Sequence, residues 1–93
     1  MKTTVTLNKA LVVKGKEVTE ISLDFNRITG NDLLKAEQDS RALGDQSPSV
    51  FLSMTFQAVI AAKLIGVPPD DIMALPATDF RNIIFPVATF LLS

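Results

Sequence analysis

Between Thr3 and Val13 apolar side chains fall at Val5, Leu7, Leu11 and Val13 with polar residues mostly between them, the two-residue period of a strand with one buried face. Lys14 and Gly15 supply a turn, and a second run follows with apolar positions at Val18, Ile21, Leu23 and Phe25. A two-residue hairpin loop sets Leu11 opposite Val18 but puts Leu7 against Ser22, apolar against polar. One extra residue near Thr19 and Glu20 removes the mismatch by aligning Leu7 with Leu23 and Val5 with Phe25, so the pattern predicts a β-bulge there.

From Ile28 onward the period lengthens. Thr29 followed by Gly30, Asn31 and Asp32 reads as a helix N-cap with an acid at the third helical position, and the helix is expected to run to about Leu43 and stop at Gly44. Its buried side is thin: Leu33, Ala36 and Leu43, with Leu34 beside them. Glu37 and Arg41 pair on the other side. Ser47 and Pro48 then mark the start of a helix over Ser49 to Ile65 that is apolar nearly all the way round, with Lys63 its only charge and Gly66 its end. A central core helix explains that composition. The alternatives are a membrane span, for which the run is short of the ~20 residues needed and interrupted by Ser53, Thr55, Gln57 and Lys63, and a helix shared between subunits.

Val67, Pro68 and Pro69 break the chain, and Asp70 and Asp71 open a short helix where carboxylates favour the positive end of the helix dipole. After Pro76, residues Phe80, Ile83, Ile84, Val87 and Leu91 mark one face of a last helix. Pro86 lies within it and predicts a kink. Phe85 and Leu92 fall on the opposite face, where a solvated helix would carry charge. Together with Phe90 and Leu91 they are the candidate surface for a partner or for self-association. The expected fold is α+β, a single domain over 1–93. An N-terminal antiparallel hairpin of two or three strands occupies 1–27, and three or four helices occupy 28–93.

Charge sharpens this picture. Residues 1–45 carry fourteen charged side chains and residues 46–93 only five, whereas twenty-seven of the latter forty-eight residues are apolar. A chain of 93 residues buries only about 60 to 65% of its unfolded surface, so this second half calls for a partner or a second copy. Nine basic against ten acidic residues give a net charge of −1, which offers no field for phosphate backbones or anionic lipid. The start of the chain, MKTTVTLNKALVV, is broken by threonines and predicts no export signal.

The chain has no cysteine and no histidine, which removes disulfides, thiolate chemistry and the commonest acid/base and metal ligand. Asp70 and Asp71 are adjacent and project to different points of one helix, so they read as first-turn acids and not as a catalytic dyad. The spaced acidic pattern of a calcium loop is missing, and the four glycines are isolated, each explained by a turn or a cap. Lys14 and Lys16 flank a turn without aromatic neighbours, a solvated pair more than a nucleic-acid contact. No catalytic, metal or cofactor site is expected.

Three stretches, in order, resemble a known family. Leu11-Val-Val-Lys-Gly-Lys-Glu-Val-Thr-Glu-Ile-Ser-Leu23 is similar to its opening hairpin, and Ile28-Thr-Gly-Asn-Asp-Leu-Leu-Lys-Ala-Glu37 to its capped first helix. Leu64-Ile-Gly-Val-Pro-Pro-Asp-Asp-Ile-Met-Ala-Leu-Pro-Ala-Thr-Asp-Phe80 is similar to its helix, double break and final helix. The family is the tail assembly chaperones of Mu-like and related long-tailed phages. The resemblance implies a non-enzymatic protein of the bacterial cytoplasm, missing from the mature virion, that self-associates. Its implied partners are the tape-measure protein, bound while the tail tube is built, and the tail tube protein. Pro86 and the apolar ending Phe90-Leu-Leu-Ser93 depart from the family pattern. The alternative reading is a small DNA-associated or regulatory protein of a mobile element; a peripheral membrane protein is a third, resting on residues 50 to 66.

Overall fold

The computed structural model describes residues 2–93. Strands β1 (Lys2–Val13) and β2 (Lys16–Asp24) form one antiparallel pair, followed by helices α1 (Gly30–Ala42), α2 (Met54–Ile65), α3 (Pro69–Met73) and α4 (Ala77–Leu92), an α+β arrangement. Two short 3-10 turns, Phe25–Arg27 and Val50–Leu52, precede α1 and α2. Lys14 and Gly15 both take positive φ, 52° and 81°, as a two-residue turn matched to the strand twist requires.

The hairpin register differs from the expected one. Leu11 does face Val18, but beyond it Thr6 faces Glu20, Val5 faces Ile21 and Thr3 faces Leu23. The irregularity therefore lies in β1, where Leu7 to Ala10 occupy the span that β2 covers with Thr19 alone. The expected extra residue at Thr19 or Glu20 and the pairings of Leu7 with Leu23 and Val5 with Phe25 are not formed. Val5, Leu7, Leu11, Ile21, Leu23 and Phe25 nevertheless all face the core. The bulge satisfies that pattern from the other strand because a carboxylate from α4 is available to hold it, as described below.

Thr29 caps α1 with a complete reciprocal pair: its hydroxyl accepts from the Asp32 amide at 3.2 Å, and the Asp32 carboxylate accepts from the Thr29 amide at 3.0 Å. Ala36 and Ser40 are the buried positions of α1, whereas Leu43, expected in its core stripe, is exposed at the C-cap. Ser40 takes an inward place because its hydroxyl donates to Asp45 at 2.6 Å.

The helix expected over Ser49 to Ile65 is shorter. Val50–Leu52 form a 3-10 turn, Ser53 is extended (φ −82°, ψ 126°), and α2 begins at Met54. Ser53 and not Ser47 is the cap, accepting from the Phe56 amide, and the side-chain amide of Gln57 donates to the Phe51 carbonyl at 2.9 Å. These two bonds satisfy backbone groups on either side of the break. Beyond it α2 is the central helix, buried at Phe56 to Ala62 and Leu64 and ended by Gly66 with φ 91°. It packs against α1, α3, α4 and β2. Among the described residues no helix is long and apolar enough to cross a membrane. α4 runs unbroken through Pro86, and its Ile83, Ile84 and Val87 close the core.

Candidate functional site

Three places on the molecule hold side chains that plain core packing leaves unaccounted for. The first is Asp79, in the first turn of α4 and fully buried. Its Oδ1 accepts from the Asn8 amide at 2.8 Å and its Oδ2 from the Lys9 amide at 2.9 Å, so one carboxylate holds both exposed donors of the β1 bulge. The helical phase carried a signal for this: Asp79, Ile83 and Val87 recur every four residues, which places an acid in the buried stripe. The arrangement fixes backbone, and both oxygens are occupied by it.

The second place is the segment between α1 and α2. Asp45 accepts from the Ser40 hydroxyl and from the Ser47 amide at 2.9 Å, while Arg41 donates to the Asp45 and Ser47 carbonyls. Hydrogen bonds from Ser40, then Ser53 and Ser47, hold the Asp45 carboxyl well below the ordinary aspartate value of 3.8. Nearby, Lys35 first and Lys63 second lower the Asp39 carboxyl through contacts of 2.8 and 3.4 Å, the first within α1 and the second tying α1 to α2. Among the described residues no three His, Cys, Asp or Glu side chains gather closely enough to hold a metal ion.

The third place is apolar and open. Phe85 and Leu92 stand on the solvent side of α4, with Ala88 and Thr89 between them forming a ledge and Arg81 one turn earlier on the same stripe. Phe90 and Leu91, candidates for the same surface, are half-buried against the protein's own core, and the Phe90 ring stacks on Phe25 at 4.7 Å and 12°. The structure thus divides the four candidate residues into an outward pair and an inward pair.

A second apolar feature was hidden from sequence reasoning by the reading of Ser49 to Ile65 as one helix. The 3-10 turn stands off α1 and leaves a groove of about 610 Å³, floored by Phe56 and walled by Leu33, Leu34, Val50 and Phe51, with Glu37 at its rim. Leu52 and Met54, at the break between the 3-10 turn and α2, are exposed and lie outside the groove's lining. Thr29 and Gly30, which line the groove, follow closely on Phe25, the residue stacked on Phe90, and the 3-10 turn packs directly against α4.

Comparison of the chain with protein families, with characterised proteins and with solved structures finds no match. The geometry above is therefore what bears on function. An open apolar groove and an exposed apolar helical stripe fit the binding of helical or extended protein segments, which bury such surfaces through spaced apolar anchors.

Proposed function

We propose that this chain is a protein-binding assembly factor without catalytic activity, acting as a tail assembly chaperone that holds a tape-measure protein in the host cytoplasm while a phage tail tube is built around it. The observation that carries the reading is the number of large apolar side chains left exposed on α1, on the 3-10 turn with the start of α2, and on α4: Leu34, Phe51, Leu52, Met54, Phe85 and Leu92. A solvated monomer scatters such residues, and contiguous ones mark surfaces that are covered in use. Support also comes from the three stretches that resemble the chaperone family, which correspond to the hairpin, to capped α1 and to the passage from α2 through α3 into α4. The net charge of −1 favours a protein client over nucleic acid.

The test is co-expression with the tape-measure protein of the same gene cluster. The expected result is that the tape-measure protein stays soluble and co-elutes with this chain, and that it precipitates when expressed alone. A tape-measure protein equally soluble with and without the chain, and eluting apart from it, overturns the proposal.

A further inference from the structure

Taking the chain as the assembly factor proposed above, we infer that the groove between α1 and the 3-10 turn is its client site, and that the segment seated there is an amphipathic helix with a lysine or arginine beside its apolar anchors. At about 610 Å³ the groove lies within the ~300 to 1,000 Å³ range of built binding pockets. Its far wall is held in place by the fold itself. The Gln57 side-chain amide donates to the Phe51 carbonyl at 2.9 Å, and the Phe51 ring stacks on Phe56 at 5.7 Å, so the concavity is organised before a partner arrives.

The lining selects a helix over an extended segment. Among the described residues no strand contributes to it: α1 supplies Leu33 and Leu34, the 3-10 turn Val50 and Phe51, and α2 the floor at Phe56. The carbonyls of Ser49 and Val50 already accept from the amides of Leu52 and Ser53, and that of Phe51 accepts from Gln57. An extended segment laid here has no ladder for its own amides and carbonyls, and leaving them unpaired against apolar walls is costly. A helix satisfies its backbone internally and enters with side chains alone, spaced at i, i+3 or i+4, and i+7. Charge specifies the polar part of that helix. Glu37 is the only charged side chain in the lining. Its basic neighbour, Arg41, stands 3.7 Å away and is engaged with the Asp45 and Ser47 carbonyls at 3.2 and 2.7 Å. The rim is therefore acidic and loosely covered, and a client cation one turn from the anchors complements it.

The experiment titrates the full chain into labelled overlapping peptides of the tape-measure protein of the same gene cluster, read by fluorescence anisotropy, beside co-elution of the whole tape-measure protein. The expected result is one basic, amphipathic peptide that binds and gains helical circular dichroism in the complex. Its addition should shift the methyl resonances of Leu33, Leu34 and Val50 in the wild-type chain. Leu34→Glu, at a position 62% exposed and so expected to fold, should weaken binding by about tenfold or more. Glu37→Lys should weaken it on the order of tenfold, and exchanging the peptide's basic residue for glutamate should restore most of that loss. A tape-measure protein that co-elutes as well with Leu34→Glu as with wild type overturns the groove as the site and leaves the chaperone reading standing. A bound peptide that stays extended, shifts confined to Val12 and Val18 of the hairpin or to Leu92, or a Glu37→Lys variant with wild-type affinity overturns it equally. Shifts of the groove methyls on concentrating the chain alone would give the groove to a second copy and overturn it too. A tape-measure protein that fails to co-elute with the wild type overturns the chaperone reading, and this site with it.

Discussion

The Asp79 carboxylate and the Asn8 amide meet at 2.8 Å across 71 positions of sequence, and the second oxygen takes the adjacent Lys9 amide at 2.9 Å. The β1 bulge therefore depends on the last helix. A strand that accommodates Leu7 to Ala10 opposite Thr19 leaves donors without a ladder partner, and buried or half-buried donors need one. Asp79 supplies it, and in doing so fixes where α4 lies along the hairpin.

Replacing Asp79 with alanine removes both bonds. Both bonds are part-buried, and the cost is that of the lost charge-assisted bonds, about 2 to 3 kcal/mol. Asp79→Asn retains one acceptor and turns an amide group towards a donor, so it too is expected to destabilise. Urea midpoints and hydrogen exchange at Asn8 and Lys9 check this. Unchanged protection at both amides in Asp79→Ala would show that the bulge holds itself.

The elements that were legible from sequence are those with local causes. Lys14-Gly15 demanded a turn, Thr29 with Asp32 a capped start, Gly44 and Gly66 helix ends, and the phase of Phe80, Ile83 and Val87 an inward face. What was not legible depends on contacts distant in sequence. Periodicity required a register correction in the hairpin without saying which strand carried it, because the deciding partner, Asp79, lies in another element. The break at Ser53 was masked by a continuous run of apolar residues, and the groove was hidden with it. Phe90 and Phe85 look alike as letters; only the position of Phe25 separates the covered ring from the open one.

Acid should act through Asp45. Its folded value lies below the ordinary 3.8 because the hydroxyls of Ser40, Ser53 and Ser47 and the Ser47 amide bond the charged form. A carboxylate lowered in the folded state contributes stability that is present above its unfolded value and lost as pH falls through the folded one. Asp39, lowered mainly by Lys35, acts in the same direction but is more exposed and screened. The expected outcome is a wild-type urea midpoint that falls steeply below about pH 4, with a shallower fall in Asp45→Asn. Parallel pH profiles for the two proteins would exclude Asp45 as the group responsible.

The hairpin turn carries a correctable strain. Lys14 holds φ 52°, a left-handed conformation in which a side chain crowds its own backbone, while asparagine adopts it readily. Lys14→Asn yields an Asn-Gly pair suited to this turn and is expected to stabilise the protein by about 0.5 kcal/mol. The lost packing of the lysine stem beside Gly66 limits the gain. A rise in the urea midpoint at constant slope is the expected reading, and a fall would mean that the stem contact outweighs the backbone strain.

Phe56 and Phe51 stack at 5.7 Å, yet the two rings should respond very differently to truncation. Phe56 is fully buried on the central helix, in contact with the core on one side and flooring the groove on the other. Phe56→Ala leaves a cavity whose walls belong to several elements and cannot all close on it, so a loss of about 3 to 5 kcal/mol is expected, a large part of the stability of so small a domain. Phe51 sits in the 3-10 turn, partly exposed, and loses its contacts mainly to solvent; Phe51→Ala should cost about 1 kcal/mol. Urea unfolding of the two variants separates these outcomes: equal midpoint losses, or a midpoint for Phe56→Ala that barely moves, would mean that the rings form one surface cluster and that the core does not reach the groove floor.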